Sequence, residues 1–85
     1  MNSDLGLQRE LIHLLTNYIL ECQAYEYGKL LQFGAVDIII MAMKDIYDPT
    51  LIIKCLHSLE SLFLFDEAKR RFILLNGPRV LELLN

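Results

Sequence analysis

An all-α chain organised as a helical repeat is the fold class this 85-residue sequence predicts, and three observations carry that expectation. Apolar residues recur at helical spacing along two long segments. The strongest breakers, Gly34, Asp48-Pro49 and Asn76-Gly77-Pro78, fall between segments. The order long, short, medium then occurs twice along the chain.

The second long segment reads most clearly. Leu51, Ile52, Cys55, Leu56, Leu59, Leu62 and Phe63 form an i, i+4, i+8 stripe, which predicts a helix over about 49–65. Asp48 is placed to accept hydrogen bonds as N-cap, and Pro49 in the first turn gives up a donor that the helix cannot use. The first long segment, about 4–22, carries the same spacing in Leu11, Ile12, Leu15, Tyr18 and Ile19, with Ser3 or Asp4 as the expected cap. Two shorter helices follow at about 24–32 and 35–44, divided by Gly34, whose freedom to adopt positive φ ends a helix at little cost. The pattern then recurs with helices at about 66–75 and 78–84, and here Gly77 is expected to stop one helix and Pro78 to open the next.

Superposing His13 on His57 also brings Leu15 onto Leu59 and Asn17 onto Ser61, an offset of 57 − 13 = 44 residues. Gly34 and Gly77 are 77 − 34 = 43 apart. In that phase the chain opens on the third helix of a repeat and closes on a second.

Composition narrows the function. Hydrophobic residues make up 54% of the chain and charged residues 22%, against about 45–50% and about 25% in typical soluble domains. That excess suits a unit whose ends are covered by neighbouring repeats, a second copy or a partner. A net charge of −3 and a pI near 5.2 argue against a nucleic-acid binder. The longest apolar run, residues 38–43, is far below the roughly 18 residues of a membrane span, and no signal-peptide pattern opens the chain. A soluble intracellular chain with no membrane partner is therefore expected. Cys22 and Cys55 stand apart from each other and from clustered ligands, as reduced structural thiols do.

A three-helix repeat with a period in the low forties is the armadillo period. The run 34–40, Gly-Ala-Val-Asp-Ile-Ile-Ile, resembles an armadillo second helix, and residues 53–63 resemble a third. Within that family the chain is most similar to the last repeats of importin-alpha, the adaptor of nuclear import. His13-Leu14-Leu15-Thr16-Asn17 matches its Trp-x-x-x-Asn helix with Asn kept and Trp replaced. Residues 58–62 match a weaker late-repeat version, and residues 76–84 resemble its closing segment. The resemblance covers about residues 10–84. It implies a right-handed α-α superhelix of about two repeats and six helices. It further implies a groove along the third helices, where Asn side chains hold the extended backbone of a basic nuclear localisation signal, or where a transport receptor docks. His replaces both Trp residues, Ser61 stands at the second Asn position, and the basic amino-terminal arm is absent.

The residues themselves place Glu10, His13, Asn17 and Glu21 along one stripe of the first long helix, and Thr50, Lys54, His57 and Ser61 along the second. Stacked repeats would bring the stripes side by side as a peptide-binding surface, on which the Asn17 amide offers both a donor and an acceptor. The alternative is a pair of solvated helix faces. Without Trp, the cation–π grip on Lys stems, about 0.5–2 kcal/mol each, is missing, so a basic signal should bind weakly. His13 and His57 lie one repeat apart, too far to share a metal, and Cys55 and His57 point to different faces, so no metal, cofactor or catalytic dyad is expected. Lys69-Arg70-Arg71, with Arg79 beyond, reads as a solvated surface, and Met41 and Met43 as adaptable packing. The chain is expected to act as a protein-binding or self-associating unit, forming a homo-oligomer or docking a peptide partner, and not as an enzyme.

Overall fold

A computed structural model describes residues 3–46 and 48–84, with side chains from Gly6 onward. Every regular element among them is helical: α1 (Ser3–Glu21), a 3-10 turn at Ala24–Glu26, α2 (Tyr27–Gln32), α3 (Ala35–Asp45), α4 (Pro49–Leu62), α5 (Asp66–Leu74) and α6 (Gly77–Leu83). The cap expected of Ser3 or Asp4 lies outside the described side chains. The segment expected as one helix over 24–32 begins instead as the 3-10 turn. Helix α4 stops three residues short of 65, because Phe65 turns to extended backbone (φ −100°, ψ 127°) to lead into α5.

The clearest predicted boundary is built as expected. The Asp48 carboxylate accepts from the Thr50 and Leu51 amides at 3.1 and 3.4 Å, with Pro49 in the first turn. Two other boundaries use left-handed backbone. Gly34 takes φ 84° before α3, but before α6 it is Asn76, not Gly77, that takes φ 61°. Asn tolerates this region better than most side chains. Gly77 serves a different purpose: it is buried against the Phe72 ring, and a Cβ there would overlap the ring carbons. The glycine is needed for close approach, and the expected Gly stop is corrected to an Asn stop.

Helix α3 is the hub. It packs against α1, α2, α4, α5 and α6, and Ala35, Val36, Ile39, Ile40, Ala42 and Met43 are all buried on it. A helix apolar on so much of its circumference is stable only when enclosed. The most extensive pairing elsewhere is α1 along α4. Between them these helices bury Ile12, Ile19, Leu51, Cys55, Leu59 and Leu62. Aromatic rings close the far side, with Phe63 edge-on to Phe72 at 5.2 Å and Tyr27 edge-on to Phe65 at 6.2 Å.

Buried polar groups are mostly satisfied by backbone carbonyls, within a helix or across to a neighbouring one. The Thr16 hydroxyl donates to the Ile12 carbonyl at 2.8 Å, and the Tyr27 hydroxyl donates to the Ile19 carbonyl at 3.2 Å. Ser58 is the exception, fully buried with a hydroxyl that has no partner among the described residues. At the surface, Arg71 forks onto Asp37 through Nε (2.9 Å) and Nη2 (2.6 Å), tying α5 to α3.

The burial pattern also shifts the internal register. Ile12, Thr16 and Ile19 on α1 are matched by Cys55, Leu59 and Leu62 on α4, an offset of 62 − 19 = 43. His13 thus corresponds to Leu56 and Asn17 to Glu60, one residue away from the histidine-based pairing. Packing responds to the buried face, and the His superposition was set by a half-buried and an exposed side chain.

Candidate functional site

Because α1 lies along α4, the two polar stripes anticipated from sequence meet at one seam. The contact that joins them is Lys54 Nζ to His13 Nδ1, at 3.2 Å. An ammonium donates only, so this geometry places an acceptor lone pair on Nδ1 and the ring proton on Nε2. His13, Lys54 and Ser61 are half-buried along the seam, whereas Glu10, Asn17, Glu21 and His57 are exposed. His57 leans toward Glu60 on its own helix at 3.9 Å and takes no part in the cross-helix contact. The Asn17 amide has no hydrogen-bond partner among the described residues and faces solvent. The seam therefore pairs the His13 imidazole with the Lys54 cation, and helical spacing puts Asn17 one turn from His13 and Ser61 two turns from Lys54, with the carboxylates of Glu10 and Glu21 on the α1 stripe and exposed Glu60 on α4. That set can hydrogen-bond a peptide backbone and attract basic side chains, though Lys54 opposes the latter at the centre.

An apolar concavity lies elsewhere. Between α1 and α3 lies a groove of about 410 Å³ walled by Leu11, Leu15, Ile38, Met41 and Ile46, with Gln8 and Asp45 as its polar lining. Leu11 and Met41 remain 54% and 56% exposed. Sequence reasoning took Leu11 and Leu15 into the core stripe and Met41 into adaptable packing. The structure buries only Ile12 and Ile19 of that five-residue stripe and leaves Leu11 and Tyr18 open. A helix apolar over more than one face was the available signal.

A second, shallow hollow is bordered by Glu67, Arg70, Arg71 and Leu74. Arg71 is committed to Asp37 there, and its guanidinium holds that carboxyl below the usual carboxylate range. Lys69 sits 4.0 Å from Asp66 and Arg79 3.4 Å from Glu82 on their own helices. Lys69, Arg71 and Arg79 thus each have an acidic partner among the described residues.

The thiols differ in reach. Burial pushes the Cys55 thiol up to about 11, and burial also raises that of half-buried Cys22. No group of three or more His, Cys, Asp or Glu among the described residues could hold a metal ion, and no described helix is long and apolar enough to cross a membrane.

The class that fold and site define is an all-helical chain with a polar seam and an open apolar groove. Comparison with known proteins finds no match to any family model, curated protein or solved structure.

Proposed function

We propose that the chain is a protein-binding segment of armadillo type, its two long helices forming a short piece of right-handed superhelix that receives an extended peptide across the seam. The observation that carries this reading is the Lys54–His13 contact, which puts the stripes of α1 and α4 on one surface with the Asn17 amide unengaged beside it. Kinship with importin-alpha points to a basic nuclear localisation signal or a transport receptor as the partner, in the cytoplasm or nucleus. Family analogy supplies the partner's identity and the seam supplies the chemistry. Glu10, Glu21 and Glu60 favour a basic ligand, while the absence of Trp and the presence of Lys54 keep its affinity low.

Calorimetric titration of the chain with a panel of basic signal peptides tests the reading. Saturable heat that falls at least tenfold in affinity in Asn17→Ala and weakens with rising salt supports it. Absence of heat at high protein concentration rejects it. A second reading, self-association without peptide binding, draws on Leu7, Leu14, Phe33, Leu64 and Leu74, large apolar side chains that stay exposed to solvent. Sedimentation decides it: a concentration-independent monomer removes this reading.

A further inference from the structure

The contact across the seam survives in only one protonation state of its acceptor. Lys54 on α4 brings its Nζ to 3.2 Å from Nδ1 of His13 on α1, and both side chains are half-buried. An ammonium has three protons to give and no lone pair, so the contact requires a lone pair on Nδ1. Imidazoles as a class take up their second proton near pH 6.5, where an ammonium is fully charged. With a proton on Nδ1, two donors and two like charges would face each other at a distance where no hydrogen bond can form. The flexible Lys stem lets the ammonium swing out to water, while the ring sits on a helix anchored by buried Ile12, Thr16 and Ile19.

Among the described residues the His13 ring has no hydrogen-bond or ion-pair partner besides Lys54. The other titratable groups around it are committed or lie apart. On α1, Arg9 reaches Asp48 of α4 at 3.7 Å, and the Tyr18 hydroxyl is bonded to Glu26 beyond the end of the helix. On α4, Cys55 is buried and exposed His57 stands 3.9 Å from Glu60. On α3, Asp45 lines the groove along the other flank of α1, and Lys44 is exposed. Glu10, exposed one turn before His13, is the carboxylate in helical register with a protonated ring.

We propose that the His13–Lys54 contact is a proton-sensitive switch of the seam's charge. With His13 neutral, Lys54 is held across α1 and α4. With His13 protonated, Lys54 is released and the seam gains a second cation. The release needs no ligand. Its consequence for ligands rests on the seam being the binding surface proposed above: acid repels a basic peptide more strongly and favours one that carries carboxylates.

Nuclear magnetic resonance of the isotope-labelled 85-residue chain reads Lys54 directly through its Cε–Hε cross-peak, identified by its loss in Lys54→Met. In the parent the cross-peak should move through one sigmoid between about pH 8 and about pH 5, with the same midpoint as the His13 ring protons. His13→Gln keeps a neutral acceptor at this position and has no proton to gain, so the sigmoid should vanish there and persist in His57→Gln. Circular dichroism checks that each variant keeps its helix content over the range. A Lys54 cross-peak that stays fixed, or one that moves equally in His13→Gln, overturns the proposal. A second arm titrates a basic signal peptide at both ends of the pH range. Its binding to the parent should be about threefold weaker at the acid end, and that loss should shrink in His13→Gln. An equal loss in the two chains counts against the switch. Absence of peptide binding at every pH rejects only the peptide-binding reading, and the Lys54 sigmoid then decides the switch by itself.

Discussion

The seam between α1 and α4 and the groove between α1 and α3 share a helix and are finished in opposite ways. At the seam the meeting surfaces are polar, Lys54 bridges to His13, and the neighbouring interior is sealed by Ile12, Ile19, Leu59 and Leu62. At the groove the walls are aliphatic and stay more than half exposed at Leu11 and Met41. Apolar area contributes about 25 cal/mol per Å² only once it leaves water. The groove therefore holds unused driving force for association, while the seam offers direction and selectivity with little net energy.

The largest expected effect separates sealed from open surface. Ile19→Ala removes a fully buried side chain and should cost about 2–5 kcal/mol, enough to unfold much of a small domain, while the exposed Met41→Ala should cost under about 0.5 kcal/mol. Urea titration measures both. Thiol labelling at pH 8 gives a second readout: Cys22 should react in the native state and Cys55 only on opening, so Ile19→Ala should accelerate Cys55 labelling. Equal costs at the two sites would erase the distinction between sealed and open faces.

Next comes Gly77→Ala, which drives a methyl into the Phe72 ring beneath α6 and should cost about 1–3 kcal/mol. Asn76→Gly, relieving left-handed backbone at the adjacent residue, should be neutral or mildly stabilising, so thermal melts should show a clear loss only for Gly77→Ala. Ser58→Ala should stabilise the chain by up to about 1 kcal/mol, because it removes a buried hydroxyl without a partner. A clear loss of stability there would mean the hydroxyl is engaged.

The smallest effects belong to the surface. Asp37 has a folded pKa lowered by Arg71, so the pair contributes stability that is present above the ordinary carboxylate value and fades as pH falls through the lowered one. The pair is largely solvated, so its contribution should be small. Urea midpoints at pH 6 and pH 3 should differ less in Arg71→Ala than in the parent chain. A double-mutant cycle on His13 and Lys54 should return a similarly small coupling, which would keep the seam a recognition surface and not a structural clamp.

Much of this was legible beforehand where local chemistry decides. The Asp48 cap, the Pro49 start and the left-handed Gly34 are set within four residues of chain and appear as expected. The polar stripes were legible too, since helical spacing alone aligns Glu10, His13, Asn17 and Glu21. The exchange of roles between Asn76 and Gly77 was not, because both residues accept positive φ and only the Phe72 ring distinguishes them. Nor was the split of the Leu11, Ile12, Leu15, Tyr18, Ile19 stripe into buried and open residues. Periodicity reports how wide an apolar face is, not how much of it a neighbour covers.

By itself, then, the sequence determined that the chain is helical, where its helices begin and end to within a few residues, and which side chains share a helix face. These follow from backbone sterics, capping and the 3.6-residue turn, all interactions of short range along the chain. Only the tertiary structure decided that Lys54 meets His13 across α1 and α4, that the buried positions of α1 and α4 match at an offset of 43, and that α3 packs against five other helices while Leu11 and Met41 stay open between α1 and α3. Those outcomes depend on which apolar faces find each other in three dimensions. Apolar attraction carries no direction, so the pairing is settled only by the shapes that the assembled helices present to one another.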